Sequence, residues 1–259
     1  VLGDDAAILG NDFHNLVKGS KRATRASLLH YFVRRKRIRP IQRGLYAVVP
    51  PGRDPNHFTP NRYLVASALR ADTVLCYHTA LEVLGQAHNT ATTLYGFTAE
   101  APCNAAWLHY HFRLFRYPRG LGQAVDRDTG LVDREIENTD VRVTGPERLL
   151  ADCLNRPEYA GGVEEAVVSL RGFPLFDFGI LETYLHRLGL GRVFAAVGAF
   201  LEQDNQRLFV PDELLRRLER RCPKSKTYLE RSQRGGVLLK RWNLIVPRAF
   251  LRQENPLEI

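Results

Sequence analysis

The residues that could do chemistry fall into two groups, and only one of them has a workable spacing. His109 and His111 stand at i and i+2 in a strand-like stretch, so both project from one face, as a metal site requires. No third His, Cys or carboxylate lies at a useful spacing, and a polar sheet face accounts for the pair. Asp126-x-Asp128 has the spacing of the metal-binding carboxylates of nucleotidyl transfer. It sits in a Gly- and Asp-rich segment with no preceding Gly-Ser motif and reads as a turn. Gly120-x-Gly122 is too short for a dinucleotide loop. With Lys only at 18, 21, 36, 224, 226 and 240, no Glu-x-Lys occurs, so a usual nuclease core is missing, and Gly-x-Ser-x-Gly is absent. Glu164 and Glu165 point to different faces of a helix and are expected to be solvated. The chain is not expected to be an enzyme: no catalytic residue, metal ligand or cofactor site is assigned.

The second group is cationic, and its chemistry is phosphate binding. Six of the ten residues from 34 to 43 are basic: Arg34, Arg35, Lys36, Arg37, Arg39 and Arg43. Upstream, Leu28, Leu29, Phe32 and Val33 form one apolar stripe of a helix. Downstream, Ile38 to Ile41, a turn at Gln42-Arg43-Gly44, and Leu45 to Val49 read as a short β-ribbon closed by Pro50-Pro51. A basic helix leading into a basic hairpin is the layout of a winged helix-turn-helix. In that unit the helix enters the major groove and the hairpin tip touches the backbone beside it.

Charge is segregated along the chain. Residues 1–50 net +7, residues 51–204 net −5 and residues 205–259 net +7, which gives the overall +9. Solvated faces do not segregate charge in this way, whereas a phosphate-binding module at one end does. A hydrophobic fraction of 44% is that of a globular protein. The longest apolar run, Val193 to Leu201, is far short of the roughly 20 residues that span a bilayer. The four cysteines, Cys76, Cys103, Cys153 and Cys222, form no CxxC pair or zinc spacing. With no secretory signal visible, they read as reduced thiols of a cytoplasmic protein.

The elements that position these groups follow in order. Ala6 to Val17 has a helical pattern, Lys18 to Ala23 is a basic turn, and Thr24 is a plausible N-cap of the basic helix. Pro51 to Pro60 reads as a linker, with Pro60 at the first position of a helix through Leu69. Strands are expected at 73–77, 94–98, 107–117, 141–143 and 237–246. Helices are expected at 78–84, 147–154, 162–170, 178–188, 192–201 and 211–221. The fold class is α+β, with an N-terminal winged helix-turn-helix at 1–51, a linker at 52–59 and a mixed α/β C-terminal domain at 60–259.

The basic stretch RRKRIRPIQRGLYAVVP, with YHTALEVLG, TGPERLLADCLNRPEYAGGVEEAV and RGGVLLKRWNLIVP, resembles the AbiE antitoxin family. These are the antitoxin halves of bacterial type IV toxin–antitoxin pairs linked to phage abortive infection. The similarity covers most of residues 20–250 in the expected order. It implies a winged-helix head that binds inverted repeats in double-stranded operator DNA and represses its own operon. It also implies a body that counteracts a nucleotidyltransferase-like toxin without requiring a stable complex. Carried over by position, Lys21, Arg22, Thr24, Arg25 and Ser27 would face the groove, and Arg34, Arg35, Arg37, Arg39 and Arg43 would grip phosphates. Arg216, Arg217, Arg220, Arg221, Lys224 and Lys226 would form a second electropositive face for the antitoxin work. The chain contains no Met, and against the family its head is short, so an N-terminal piece is expected to be missing. Two other readings stay open: a winged-helix regulator with a ligand-sensing body, and a nucleic-acid enzyme with a winged-helix targeting head.

Overall fold

A computed structural model describes residues 8–9, 22–230 and 235–252, and they form an α+β protein. The chain divides into two compact units. One takes the described residues of Val1–Leu75 together with Thr92–Arg116 and Asp133–Val143; the other takes Cys76–Ala91, Tyr117–Val132 and the described residues from Thr144 onward. The division falls at residue 75, so a large sheet is grouped with the N-terminal segment.

The first unit opens with three strands and a helix. Strand β1 (Ile8–Leu9) pairs antiparallel with β3 (Leu45–Val48), which pairs antiparallel with β2 (Ile38–Gln42). Helix α1 (Arg22–Arg34) lays Leu28, Leu29, Phe32 and Val33 against Ile38 and Val48, which are buried. Two expectations fail here. Ile8 and Leu9 are strand, not part of a helix from Ala6 to Val17, because ladder bonds to Ala47 and Tyr46 hold them extended; the rest of that segment lies outside the described residues. Thr24 is the third residue of α1, so it is not the N-cap.

The stretch after Pro50 is tied to this head. Lys36 Nζ donates to Asn56 Oδ1 at 2.8 Å, and Arg39 Nη1 donates to the Phe58 carbonyl at 2.5 Å. Helix α2 (Arg62–Ser67) starts at Asn61, whose side chain caps the Tyr63 N–H; Pro60 precedes the cap rather than opening the helix.

Six strands then build one sheet. They are β4 (Val74–Leu75), β5 (Thr93–Thr98), β6 (Cys103–Trp107), β7 (Tyr110–Arg116), β8 (Leu131–Ile136) and β9 (Thr139–Thr144), in the order β6-β7-β5-β4-β9-β8. The turn Glu137-Asn138 joining β8 to β9 has φ of 49° and 59°, the two positive angles of a tight hairpin.

The second unit is mostly helical. Helix α3 (Tyr77–Val83) ends before Gly85, whose φ is +71°. A short helix, α4 (Ala124–Asp128), follows. Helix α5 (Pro146–Asn155) has Pro at its first position and buries every residue from Glu147 to Leu154. Around α5 pack α3, α6 (Val163–Arg171), α7 (Phe178–Leu188) and α8 (Gly191–Gln203). Helices α9 (Asn205–Leu208) and α10 (Asp212–Glu219) come next. The stretch expected as one strand at 237–246 is a hairpin of β11 (Val237–Leu239) and β12 (Leu244–Val246), with β10 (Thr227–Tyr228) parallel to β12. A 3-10 turn at Lys240–Trp242 and a left-handed Asn243 (φ 47°) break the run and aim Trp242 into the core. Trp242 lies so close over Gly198 that a Cβ there would come within 2.1 Å of the ring.

At the centre of this unit α5 carries charge into the core. Arg148 donates to the carbonyls of Arg127 (2.7 Å) and Thr129 (3.3 Å), and Asp152 accepts from the Tyr184 hydroxyl at 2.7 Å. Burial pushes the Asp152 carboxyl up to about 6, against the pull of Arg148 and the Tyr184 hydroxyl. Burial also pushes the neighbouring Cys76 and Cys153 thiols well above their ordinary range, which leaves them unreactive.

A carboxyl raised on folding from 3.8 to about 6 contributes stability that is fully present below pH 3.8 and lost as pH rises through 6. The loss amounts to about 3 kcal/mol between pH 4 and pH 7, at 1.36 kcal/mol per unit. Asp152→Asn keeps an acceptor for Tyr184 but cannot titrate. In urea melts across this range, the stability difference between variant and wild type should change by about that amount. A constant difference would place no raised carboxyl at Asp152.

Candidate nucleic-acid interface

The cationic face is built by the way α1 ends. The Lys36 N–H donates to the Val33 carbonyl and the Arg37 N–H to the Phe32 carbonyl, both at 2.9 Å, which closes the helix in a Schellman motif. Lys36 holds the left-handed position at φ 54°, where glycine is usual. The chain then reverses directly into β2, and Val49 N–H donates to the Arg37 carbonyl at 2.9 Å. Pro40 is tolerated because β2 is an edge strand, and the pairing slips by one residue just after it. Gln42 pairs with Leu45, so Arg43-Gly44 is the two-residue tip, with Gly44 at φ +81°.

Arg34, Arg35, Lys36, Arg37 and Arg43 are all exposed. Among the described residues, no carboxylate pairs with Arg34, Arg35, Arg37 or Arg43. Arg35 lies over the ring of Tyr31, 5.5 Å from its centroid, and Tyr31 is itself half exposed on the same helix. An exposed aromatic braced by an Arg beside this cluster was not singled out in the sequence; its spacing of four residues on a helix was the available signal. Lys36, present in the basic run but absent from the predicted contact set, is the residue that shapes the face.

The other predicted residues divide. Ser27 is exposed on α1, while Arg22, Thr24 and Arg25 lie on that helix with side chains outside the described set, as does Lys21 altogether. Arg39 is half-buried and committed to the Phe58 carbonyl, so it braces the ribbon. In the C-terminal cluster Arg216 pairs with Glu213 at 2.8 Å, and Arg217 grips both oxygens of Glu182 at 2.7 and 2.9 Å. The Arg217 guanidinium holds the Glu182 carboxyl below its usual value. Arg220, Arg221, Lys224 and Lys226 are exposed. This face is therefore partly neutralised, whereas Arg34, Arg35, Arg37 and Arg43 have no carboxylate partner among the described residues.

The remaining candidate residues do not converge on one cluster among the described residues. His111 is exposed on β7, but His109 falls in the turn before it, with its ring against Tyr110. Asp126 lies in α4, not in a turn, and pairs with Arg187 at 3.0 Å. No group of three or more potential metal ligands occurs among the described residues. Glu164 is exposed as expected, but Glu165 is not solvated. It is buried and accepts from the backbone of His88 and Asn89 and the side chains of Asn89 and Ser169. Burial acts to raise its carboxyl, and these hydrogen bonds outweigh that and hold it below the ordinary value. The buried His78 ring lies between Glu165 and Glu82, 3.6 Å from each. Partners 76 and 77 residues away in sequence explain why Glu165 read as a surface residue.

No family model and no curated protein sequence matches the chain. The fold is similar to the crystal structure of the RV2827C protein from Mycobacterium tuberculosis, with a TM-score of 0.58 at 16% identity. That likeness covers 93% of this chain and 86% of the other. No described helix is long and apolar enough to cross a membrane.

The strained cap gives a direct test of the frame. Lys36→Gly should stabilise the protein by about 1 kcal/mol, because glycine takes a left-handed φ without a Cβ penalty. Urea denaturation would register the gain, and a loss of stability would mean that the Lys36–Asn56 bond outweighs the strain.

Proposed function

We propose that this chain is a duplex-DNA-binding autorepressor whose N-terminal segment works as a winged helix-turn-helix. Helix α1 would enter the major groove, and the β2–β3 hairpin would set Arg43 against the neighbouring phosphates. The observation that carries this reading is the set of exposed arginines at 34, 35, 37 and 43, without a carboxylate partner among the described residues and mounted on a hydrogen-bonded reversal. Side chains held apart from carboxylates in the free protein release counterions when they meet phosphate, which favours association. The half-exposed Arg35–Tyr31 pair adds a planar cation suited to a backbone or a base edge.

The AbiE resemblance supports a second activity. The protein would counter a nucleotidyltransferase-like toxin through its body, using no catalytic group or cofactor of its own. The exposed Arg220, Arg221, Lys224 and Lys226 support a role for the C-terminal cationic face in that task.

Electrophoretic mobility shifts on the chain's own upstream DNA, at several salt concentrations, test the head. Arg35→Ala, Arg37→Ala and Arg43→Ala should each flatten log K against log salt by about 0.9, the release expected per phosphate contact. Arg39→Ala should leave that slope unchanged and lower thermal stability, since its partner is the Phe58 carbonyl. Unaltered slopes in all three exposed variants would remove the ribbon from the interface. Co-expressed with the toxin, Arg35→Ala/Arg37→Ala protein should derepress its promoter yet still protect growth. Loss of protection in that variant would contradict the separation of the two activities.

A further inference from the structure

We infer that the β6-β7-β5 face of the large sheet is a binding surface for single-stranded RNA, distinct from the duplex-binding head. The ladder register lays two rows of side chains across these strands. Asn104 of β6, Arg113 of β7 and Tyr95 of β5 are directly paired neighbours, and Ala106, His111 and Thr93 form the adjacent row. Side chains alternate between faces along each strand, so both rows share one face. On the opposite face Leu94, Phe112 and Leu114 are buried, and α2 packs against β5. On the face in question Asn104, Ala106, His111 and Arg113 are exposed and Tyr95 is half-buried.

Its chemistry is specific. Tyr95 and Phe115 lie nearly parallel, with 12° between their planes and centroids 6.0 Å apart, and Arg113 sits 5.4 Å from the Phe115 centroid. Flat aromatic rings beside a planar guanidinium form a platform on which unstacked bases rest. The Asn104 amide, alongside Arg113, offers both a donor and an acceptor to a base edge or a 2′-hydroxyl. Charge selects the same ligand. The block from 51 to 204 nets −5, yet β5, β6 and β7 contain no Asp or Glu, and this face carries Arg113 with His111. A three-strand face is too broad to enter a groove of duplex DNA, and its aromatic planes are useful only where bases are already splayed.

Fluorescence anisotropy of the full-length chain with a labelled single-stranded RNA of about 12 nucleotides tests this; OB-fold sites of the same kind span ~4–16 nucleotides. His111→Ala/Arg113→Ala changes only exposed side chains and should weaken binding at least tenfold. Tyr95→Leu, checked for folding by circular dichroism, should weaken it by a similar factor. Arg113→Lys should keep the salt dependence but not the affinity, since charge remains and the stacking plane is lost. Arg35→Ala/Arg37→Ala, which cripples the head, should leave RNA binding intact. The proposal is overturned if RNA does not bind, or if the His111/Arg113 variant binds like wild type. It is equally overturned if binding depends on the head, or if single-stranded DNA of the same sequence or poly-glutamate competes as well as RNA does.

Discussion

The reversal at Lys36 decides where the cations stand. Continued as a helix, residues 34–37 would fan around the axis at about 100° per residue and face apart. The Schellman bonds from Lys36 and Arg37 stop the helix there and turn the chain into β2. Beneath them Leu28, Leu29, Phe32 and Val33 pack on Ile38 and Val48, so one apolar contact fixes the angle between helix and ribbon. Asn56 and the Phe58 carbonyl then hold Lys36 and Arg39 from the other side. The result is a cluster of like charges held on a hydrogen-bonded frame.

The second unit treats charge in the opposite way. Arg148, Asp152 and Glu165 are buried and engaged by hydrogen bonds, and the buried His78 ring lies 3.6 Å from Glu165. Buried ionic groups of this kind fix geometry more than they add stability, because desolvation offsets most of the attraction. Toward solvent, Arg216, Arg217 and Arg241 are matched with Glu213, Glu182, Glu202 and Glu219. Net charge by segment therefore separates the ends of the chain from its middle, but it does not distinguish a neutralised cation from a bare one. Only the pairing does.

Local signals made much of the architecture legible in the sequence. The stripe from Leu28 to Val33, the hairpin around Gly44, and the helices expected at 147–154 and 178–188 all rest on signals within a few residues. What escaped depends on distant partners. Ile8-Leu9 fits either periodicity, and β3 decides it. β6 was missed because Cys-Asn-Ala-Ala has little strand preference, and its ladder with β7 supplies what propensity lacks. In the candidate site the cationic run was visible, but the different fate of Arg39 was not, because the Phe58 carbonyl lies 19 residues away.

The central claim is that the N-terminal face, not the C-terminal one, takes duplex DNA. Amide hydrogen exchange of the full-length chain, with and without its upstream duplex, tests this most directly. Protection should appear in α1 and the β2–β3 hairpin, over residues 27–49, and leave α10 and residues 220–226 unchanged. Protection confined to the C-terminal cluster, with α1 and the hairpin unaffected, would contradict it.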